Sequence, residues 1–311
     1  MDDQNRLLYK ISRDYYVNQL TQHDIAKRLG LSRIKVSRLL KQARRENVVS
    51  ITLNQPAGLL ADLEENIEKK YHLEEARIVF CEDVSSQDSV VAQLAPYASE
   101  ALLRRIGGEE IVGVTMGKTM MSVVHSLPVR SLPDVQIVQM NGGLGHIVSM
   151  QQSAELARQM SEKLSAKLQL LHAPGIAKDR KAAAIFKSDP LIAETLSLAA
   201  RADIAMLSIG RLSPTQTVEA KLLSEMEVQE LIKKATIGDI ALRYINKNGE
   251  HVKTQIDDKI IGLTFEELKQ IPCVIAVAGG EQKINVIRAG LLSHIPNVLI
   301  TDHITAEKLV Q

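Results

Sequence analysis

Gly117, Lys118 and Thr119 stand where an apolar run, Ile111–Thr115, gives way to a helical pattern, and that combination suits an oxyanion. Glycine lets the backbone approach a ligand closely. The start of the helix behind it offers unpaired N–H groups at the positive end of the helix dipole. Lys118 adds an ammonium and Thr119 a hydroxyl, both donors to a dianion. The signal recurs: Val135–Met140 runs into Asn141, Gly142, Gly143, Leu144 and Gly145, Asp203–Ile209 ends at Gly210, and Val274–Ala278 runs into Gly279, Gly280 and then Lys283. If the strands are parallel, these turns share the edge at which open α/β sheets bind ligands. A glycine there also permits a tight strand-to-helix turn and nothing more. It is the recurrence that points to a ligand. Asp239, in Gly238-Asp239-Ile240, either accepts hydrogen bonds from ligand hydroxyls or holds a turn.

A second constellation is basic. Lys27, Arg28, Arg33, Lys35, Arg38, Lys41, Arg44 and Arg45 follow one another with no Asp or Glu between them. A solvated helix usually interleaves acids for i,i+4 pairing, whereas a surface built against phosphates does not. The elements that position these bases are legible in Leu20–Lys41. Thr21 is an N-cap with Asp24 three residues on, and Ile25, Ala26 and Leu29 share one face. Gly30 ends the helix in a left-handed turn, Leu31 fills the corner, and Ser32 caps a second helix whose inward residues are Val36, Leu39 and Leu40. This spacing predicts a helix-turn-helix. Thr21, Gln22, Ser32, Arg33, Lys35, Ser37, Arg38 and Lys41 are assigned to DNA.

Enzyme chemistry finds little support. Gly113–Thr119 is one residue short of a nucleotide-binding P-loop, the eight histidines are scattered singly, and no nucleophile elbow is present. Isomerisation of a sugar would need a poised base and an electrophile, and Asp239 stands alone. A phosphosugar isomerase or hydrolase with a DNA-binding appendage is thus the alternative to a binding protein. No metal or cofactor is expected. Cys81 and Cys273 show no metal spacing and suit a reducing cytoplasm, and the sequence shows no signal region or membrane span. Residues 1–50 carry eleven bases and five acids while the whole chain of 311 residues is +1, so a basic head precedes an acidic body. With no Trp and 3% aromatics, the core must be aliphatic.

In chain order, Asn5–Val17 reads as an amphipathic helix supporting the helix-turn-helix, and Val48–Leu53 alternates as a short strand suited to a wing. The expected domains are a DNA-binding domain over 1–53, a linker and connecting helix over 54–71, and an effector domain over 72–311. Gln55–Gly58 punctuates the linker. The stripe Leu59, Leu60, Leu63 and Ile67 is either a dimer seam or a face laid on the following domain. From Ala76, seven strand patterns alternate with helical ones, the βαβ rhythm of a doubly wound, mostly parallel sheet. Between Gly238 and Ile261 the rhythm breaks, and Ile240–Ile245, a turn at Asn246–Gly249 and Val252–Ile256 suggest an antiparallel hairpin.

Taken in order, YY…LTQHDIAKRLGLSRIKVSRLLKQAR, GVTMGKT, MNGG, ADIAMLSIG, GDI, IGL, VAGGEQK and LITD resemble the SorC-type family of sugar-responsive bacterial transcription regulators over essentially the whole chain. The resemblance implies a winged helix-turn-helix followed by a domain similar to phosphosugar isomerases and CoA transferases. It also implies a phosphorylated sugar as effector and a dimer or tetramer on operator DNA. It would set the phosphate on Gly117, Lys118 and Thr119, and the polyol against the Asn141 loop, Asp239 and Lys283. Two departures stand out. The deoxyribonucleoside regulators of this family carry a Schiff-base lysine where this chain has Asn141, so a non-covalent effector is expected. Lys118 also stands where a smaller or different polar residue is common.

Overall fold

The structure, a computed structural model, describes residues 3–52, 60–143, 147–214 and 222–311, with side chains of the helix over 147–164 described from 154 onward. The chain forms two compact units, Met1–Ala57 and Gly58–Gln311. In the first, α1 (Asp3–Tyr16), α2 (Gln22–Leu29) and α3 (Arg33–Arg45) enclose a small core of Ile11, Ile25, Ala26, Val36 and Leu40. The local signals hold. Asp24 N–H donates to Thr21 Oγ1 (3.2 Å), Lys35 N–H donates to Ser32 Oγ (3.2 Å), and Gly30 adopts φ +66°. Arg28 pairs with the buried Asp14 carboxylate of α1, tying α2 to its supporting helix.

The wing strand expected over Val48–Leu53 is absent among residues 48–52; Leu53 lies outside the described residues, as do Gln55–Gly58 and Leu59. Asn47 turns to φ +56°, and the N–H groups of Val48 and Val49 donate back to Ala43 O (2.9 and 3.2 Å). The backbone that a strand would pair is thus spent on ending α3.

The second unit begins with α4 (Ala61–Tyr71) and is built on seven strands: β1 (Glu75–Val79), β2 (Ile111–Val114), β3 (Gln136–Gln139), β4 (Lys167–Gln169), β5 (Ile204–Leu207), β9 (Cys273–Val277) and β10 (Val298–Asp302). They pair in parallel in the order β1-β10-β9-β5-β2-β3-β4. Period-two alternation sorts their side chains. Val112, Val114, Ile137, Ile204 and Met206 face α5 (Gln87–Arg105), α6 (Lys118–Ser126) and α7 (Ile147–Leu164). Val138, Ala205, Leu207, Val274 and Ala276 pack on the other face, against α4, α9 (Pro190–Ala199), α12 (Ile284–Leu292) and α13 (His303–Val310). The stripe on α4 lies on this domain: Ile67 is fully buried, Leu60 and Leu63 pack beside it, and Tyr71 Oη donates to Leu309 O (2.9 Å).

The break in rhythm is real but displaced. A three-stranded antiparallel sheet joins β6 (Ile209–Arg211), β7 (Thr236–Ile240) and β8 (Arg243–Asn246), so the hairpin turns at Ala241–Leu242 and not at Asn246–Gly249. Asn246–Gly249 also turns the chain back, with a bridge from Ile245 to His251 and Val252 N–H donating to Tyr244 O (2.8 Å), but 252–256 form no strand. Ala241 and Leu242 both have positive φ (50° and 69°), a turn conformation that L-residues seldom adopt and that their identities do not announce. The described residues also include α8 (Arg180–Ser188), α10 (Glu225–Lys233) and α11 (Phe265–Gln270).

Candidate functional site

In the helical unit, α3 presents Arg33, Lys35, Arg38 and Lys41 to solvent, with Ser37 half-buried on the same helix. None of the four cationic side chains has a hydrogen bond or ion pair among the described residues. Thr21 is exposed and Gln22 half-buried at the start of α2. Two other basic residues of the unit are spent on structure: Arg28 on Asp14, and Arg44 on Tyr16, whose Oη accepts from Nε (2.8 Å) under a cation–π contact of 5.5 Å. The sequence reading missed Ile34. It is 68% exposed in the first turn of α3, where an apolar side chain can meet a thymine methyl. Its signal was an isoleucine on an otherwise polar helix face.

In the α/β unit, β2 leads to β3 and β4 on one side, whereas β5, returning from β4, lies on the other and leads outward to β9. The β2/β5 pair is therefore the topological switch point, where such sheets open a crevice beyond their carboxyl ends. Beyond β2, Gly117 takes φ +138° and ψ 161°, a region essentially confined to glycine, and α6 begins at once with Lys118. No side chain caps this helix, and the N–H groups of Gly117, Lys118 and Thr119 meet no acceptor among the described residues. Capping is common elsewhere, although α4 and α12 also lack it: Thr21, Ser32, Ser86, Asp179, Asp189, Ser224, Thr264 and Asp302 each accept from the helix they precede. Lys118 is exposed and Thr119 only 6% exposed.

Beyond β5, Ser208 lies next to the turn, its Oγ 3.8 Å from where a Cβ on Gly117 would sit. The chain then enters β6, so Gly210 is a strand residue paired with Asp239 and not the start of a strand-to-helix turn. A Cβ on Gly210 would collide with the Asp239 carboxylate lying over it. Asp239 also holds the hairpin: Leu242 N–H donates to its Oδ2 (3.0 Å). Burial raises the Asp239 pKa, opposed by that hydrogen bond and by Lys283. Burial likewise lowers the Lys283 pKa, opposed by Asp239 and reinforced by Arg211. Lys283 Nζ donates to Ile209 O (3.2 Å). Gly117, Gly210, Asp239 and Lys283 are thus linked through Ser208–Gly210, and Arg211 joins them although it was not among the residues singled out from sequence.

Asn141 ends up buried at 2% exposure beyond β3, bridged to Gly262, its Oδ1 without a hydrogen-bond partner among the described residues. Gly142 N–H donates to Ile261 O (3.0 Å) and Gly143 N–H to Ala173 O (3.2 Å), so both donors are committed. Leu144 and Gly145 lie outside the described residues. At the turn beyond β9, Asp302 Oδ2 accepts from Gly280 N–H (2.7 Å) and a Cβ on Gly279 would strike the same oxygen. These glycines let the turn close on Asp302.

A family model described as "Putative sugar-binding domain" (Sugar-bind) matches residues 55–311, and a Crp-like helix-turn-helix domain model matches residues 6–62. The chain is similar to the deoxyribonucleoside regulator of Bacillus subtilis (strain 168), 29% identical over 99% of this chain and 98% of that protein. It is similar to the transcriptional regulator LsrR of Enterobacter sp. (strain 638), 28% identical over 99% and 93%. Among solved structures it resembles the full-length sorbitol operon regulator SorC from Klebsiella pneumoniae, with a TM-score of 0.75, 27% identity and full coverage of both chains.

Proposed function

The chain belongs to the Sugar-bind, SorC-type family of helix-turn-helix transcriptional regulators, which are not enzymes, and on that footing we propose that it controls a carbohydrate-utilisation operon in response to a phosphorylated sugar bound without a covalent bond. The observation that carries the effector is the uncapped start of α6 at the switch point. Its backbone donors, the Thr119 hydroxyl and the Lys118 ammonium together suit a dianion. Asn141, with its unpaired buried oxygen, and the Asp239–Lys283 pair face the sugar hydroxyls in this reading. Asn141 has no amine for a Schiff base. Gly142, Gly143, Gly210, Gly279 and Gly280 shape the backbone around the ligand. The protein works in the cytoplasm on operator DNA.

Operator recognition falls to the α3 face. Arg38 reads a base edge while Lys35 and Lys41 meet phosphates, with Arg33 and Ser37 beside them. The active species is a dimer or tetramer, because two half-sites in successive turns of one groove need two heads about 34 Å apart. The test is a gel-shift titration of operator DNA with phosphorylated and free sugars. A phosphosugar is expected to change operator affinity and its free sugar to leave it unchanged. Arg38→Ala is expected to lose about 1–3 kcal/mol of sequence discrimination. Operator affinity indifferent to every phosphosugar would remove the effector reading, and wild-type discrimination by the variant would remove Arg38 from the readout.

A further inference from the structure

A cavity opens in the α/β unit, away from the α6 turn. Its volume is about 560 Å³, within the range that holds a metabolite. Arg180 and Lys187 of α8, Arg243 of β8, and His251 and Lys253 beyond it all line this cavity. The His251 ring forms part of the wall, stacked on the buried Phe265 ring at 4.8 Å with 2° between planes.

Arg243 and Lys187 differ in how they are held. Arg243 is 3% exposed and fully engaged by the protein: Nε donates to Leu263 O (2.7 Å), Nη2 to Gly262 O (3.2 Å) and Nη1 to Asp257 Oδ1 (3.2 Å). Asp257 is spent there and on His251 Nε2 (2.7 Å). Lys187 is half-buried, yet its ammonium has no hydrogen bond or ion pair among the described residues. Lys253 is exposed and equally unpaired at Nζ. Of the other carboxylates on the wall, Asp258 faces Arg180 at 3.8 Å, and Glu266 lies exposed. A half-buried ammonium without a hydrogen-bonded or ion-paired partner is costly, and here burial and the Arg243 charge lower the Lys187 pKa, opposed at longer range by Asp258 and Glu267. An anion in the cavity removes that cost.

We propose that this cavity is a second ligand site, for a small metabolite bearing a phosphate or carboxylate, with Lys187 as its principal charge contact and Lys253 and Arg180 at its mouth. The ligand's apolar or ring portion lies on the His251 ring, which Phe265 backs. The site stands independently of the sugar-phosphate reading, but the two share a wall. Gly262 is bridged to Asn141 and Leu263 N–H donates to Met140 O (3.0 Å), while the carbonyls of the same two residues accept from Arg243. A control that disables the first site must therefore leave 260–264 untouched, and Lys118→Glu does so.

The experiment is acetylation footprinting of full-length protein, read by mass spectrometry at Lys187, with inorganic phosphate or citrate against sodium chloride of equal ionic strength. Wild type and Lys118→Glu are compared, and Lys187→Gln is titrated calorimetrically with the same two anions in the Lys118→Glu background. We expect at least one anion to slow acetylation of Lys187 saturably, equally in both proteins, and Lys187→Gln to weaken its binding roughly tenfold. Protection by phosphate alone assigns a phosphate ligand, and protection by citrate alone a carboxylate. No protection beyond the chloride control by either anion, or protection that disappears with Lys118→Glu, overturns the proposal. So does unaltered affinity in Lys187→Gln.

Discussion

The turn after β2 and the turn after β9 leave the same edge of the sheet through glycine, yet one keeps its backbone donors open and the other spends them. At Gly279–Gly280 the buried Asp302 carboxylate accepts from Gly280 N–H (2.7 Å), from Thr305 N–H (2.8 Å) and from Thr305 Oγ1 (2.6 Å). It closes the turn and caps α13 at once. At Gly117 no carboxylate or hydroxyl does this work, and the first N–H groups of α6 remain unsatisfied within the described residues. A glycine turn thus keeps donors open to a ligand only where no neighbouring strand supplies the acceptor. What separates the two turns is a residue more than twenty positions away in sequence.

The largest expected effect falls on the closed turn. Asp302→Ala removes a helix cap and leaves buried donors unpaired, and should cost about 2–4 kcal/mol in denaturant unfolding. A loss no larger than that of an average surface change would mean that the turn is not held this way. Gly117→Ala should cost about 1–3 kcal/mol through backbone strain alone, because its new Cβ meets nothing closer than Ser208 Oγ. A wild-type melting curve for that variant would show that the open turn does not need its glycine conformation. The smallest effect concerns Asp239. Burial raises its pKa, so between the ordinary aspartate value and the raised one the native state holds a proton that the unfolded chain has released. Wild-type stability relative to Asp239→Asn should therefore fall as pH rises through that window. A difference between the two that is flat with pH, in paired thermal melts, would contradict the buried carboxyl.

The helix-turn-helix was readable almost residue by residue because its signals are local: a cap at Thr21, a left-handed Gly30, a cap at Ser32, a face at period 3.6. The seven parallel strands were readable because each is a short apolar run between helical patterns, and the inner ones are buried on both faces. Other features escaped. The wing reading failed over residues 48–52 because an alternating run forms a strand only with a partner, and these have none among the described residues. The hairpin was shifted because Asn246–Gly249 looks like a turn and is one, whereas Ala241–Leu242 gives no such sign. The glycines flagged an edge correctly, but which donors stay free depends on Asp302, Ile261 and Ala173, partners brought in by the fold. Lys187 was invisible for the same reason: nothing in Ala184–Ser188 foretells a cavity beside Arg243.

In the proposed function the open turn after β2 holds the phosphate of the effector. Calorimetric titration of wild type and Thr119→Ala with matched phosphorylated and free sugars tests it most directly. The expected result is a wild type that binds the phosphosugar well above its free counterpart, and a variant that loses roughly tenfold in affinity for the phosphosugar alone. Equal wild-type affinity for the two sugars would contradict it, because the turn would then be a passage between β2 and α6 and nothing more.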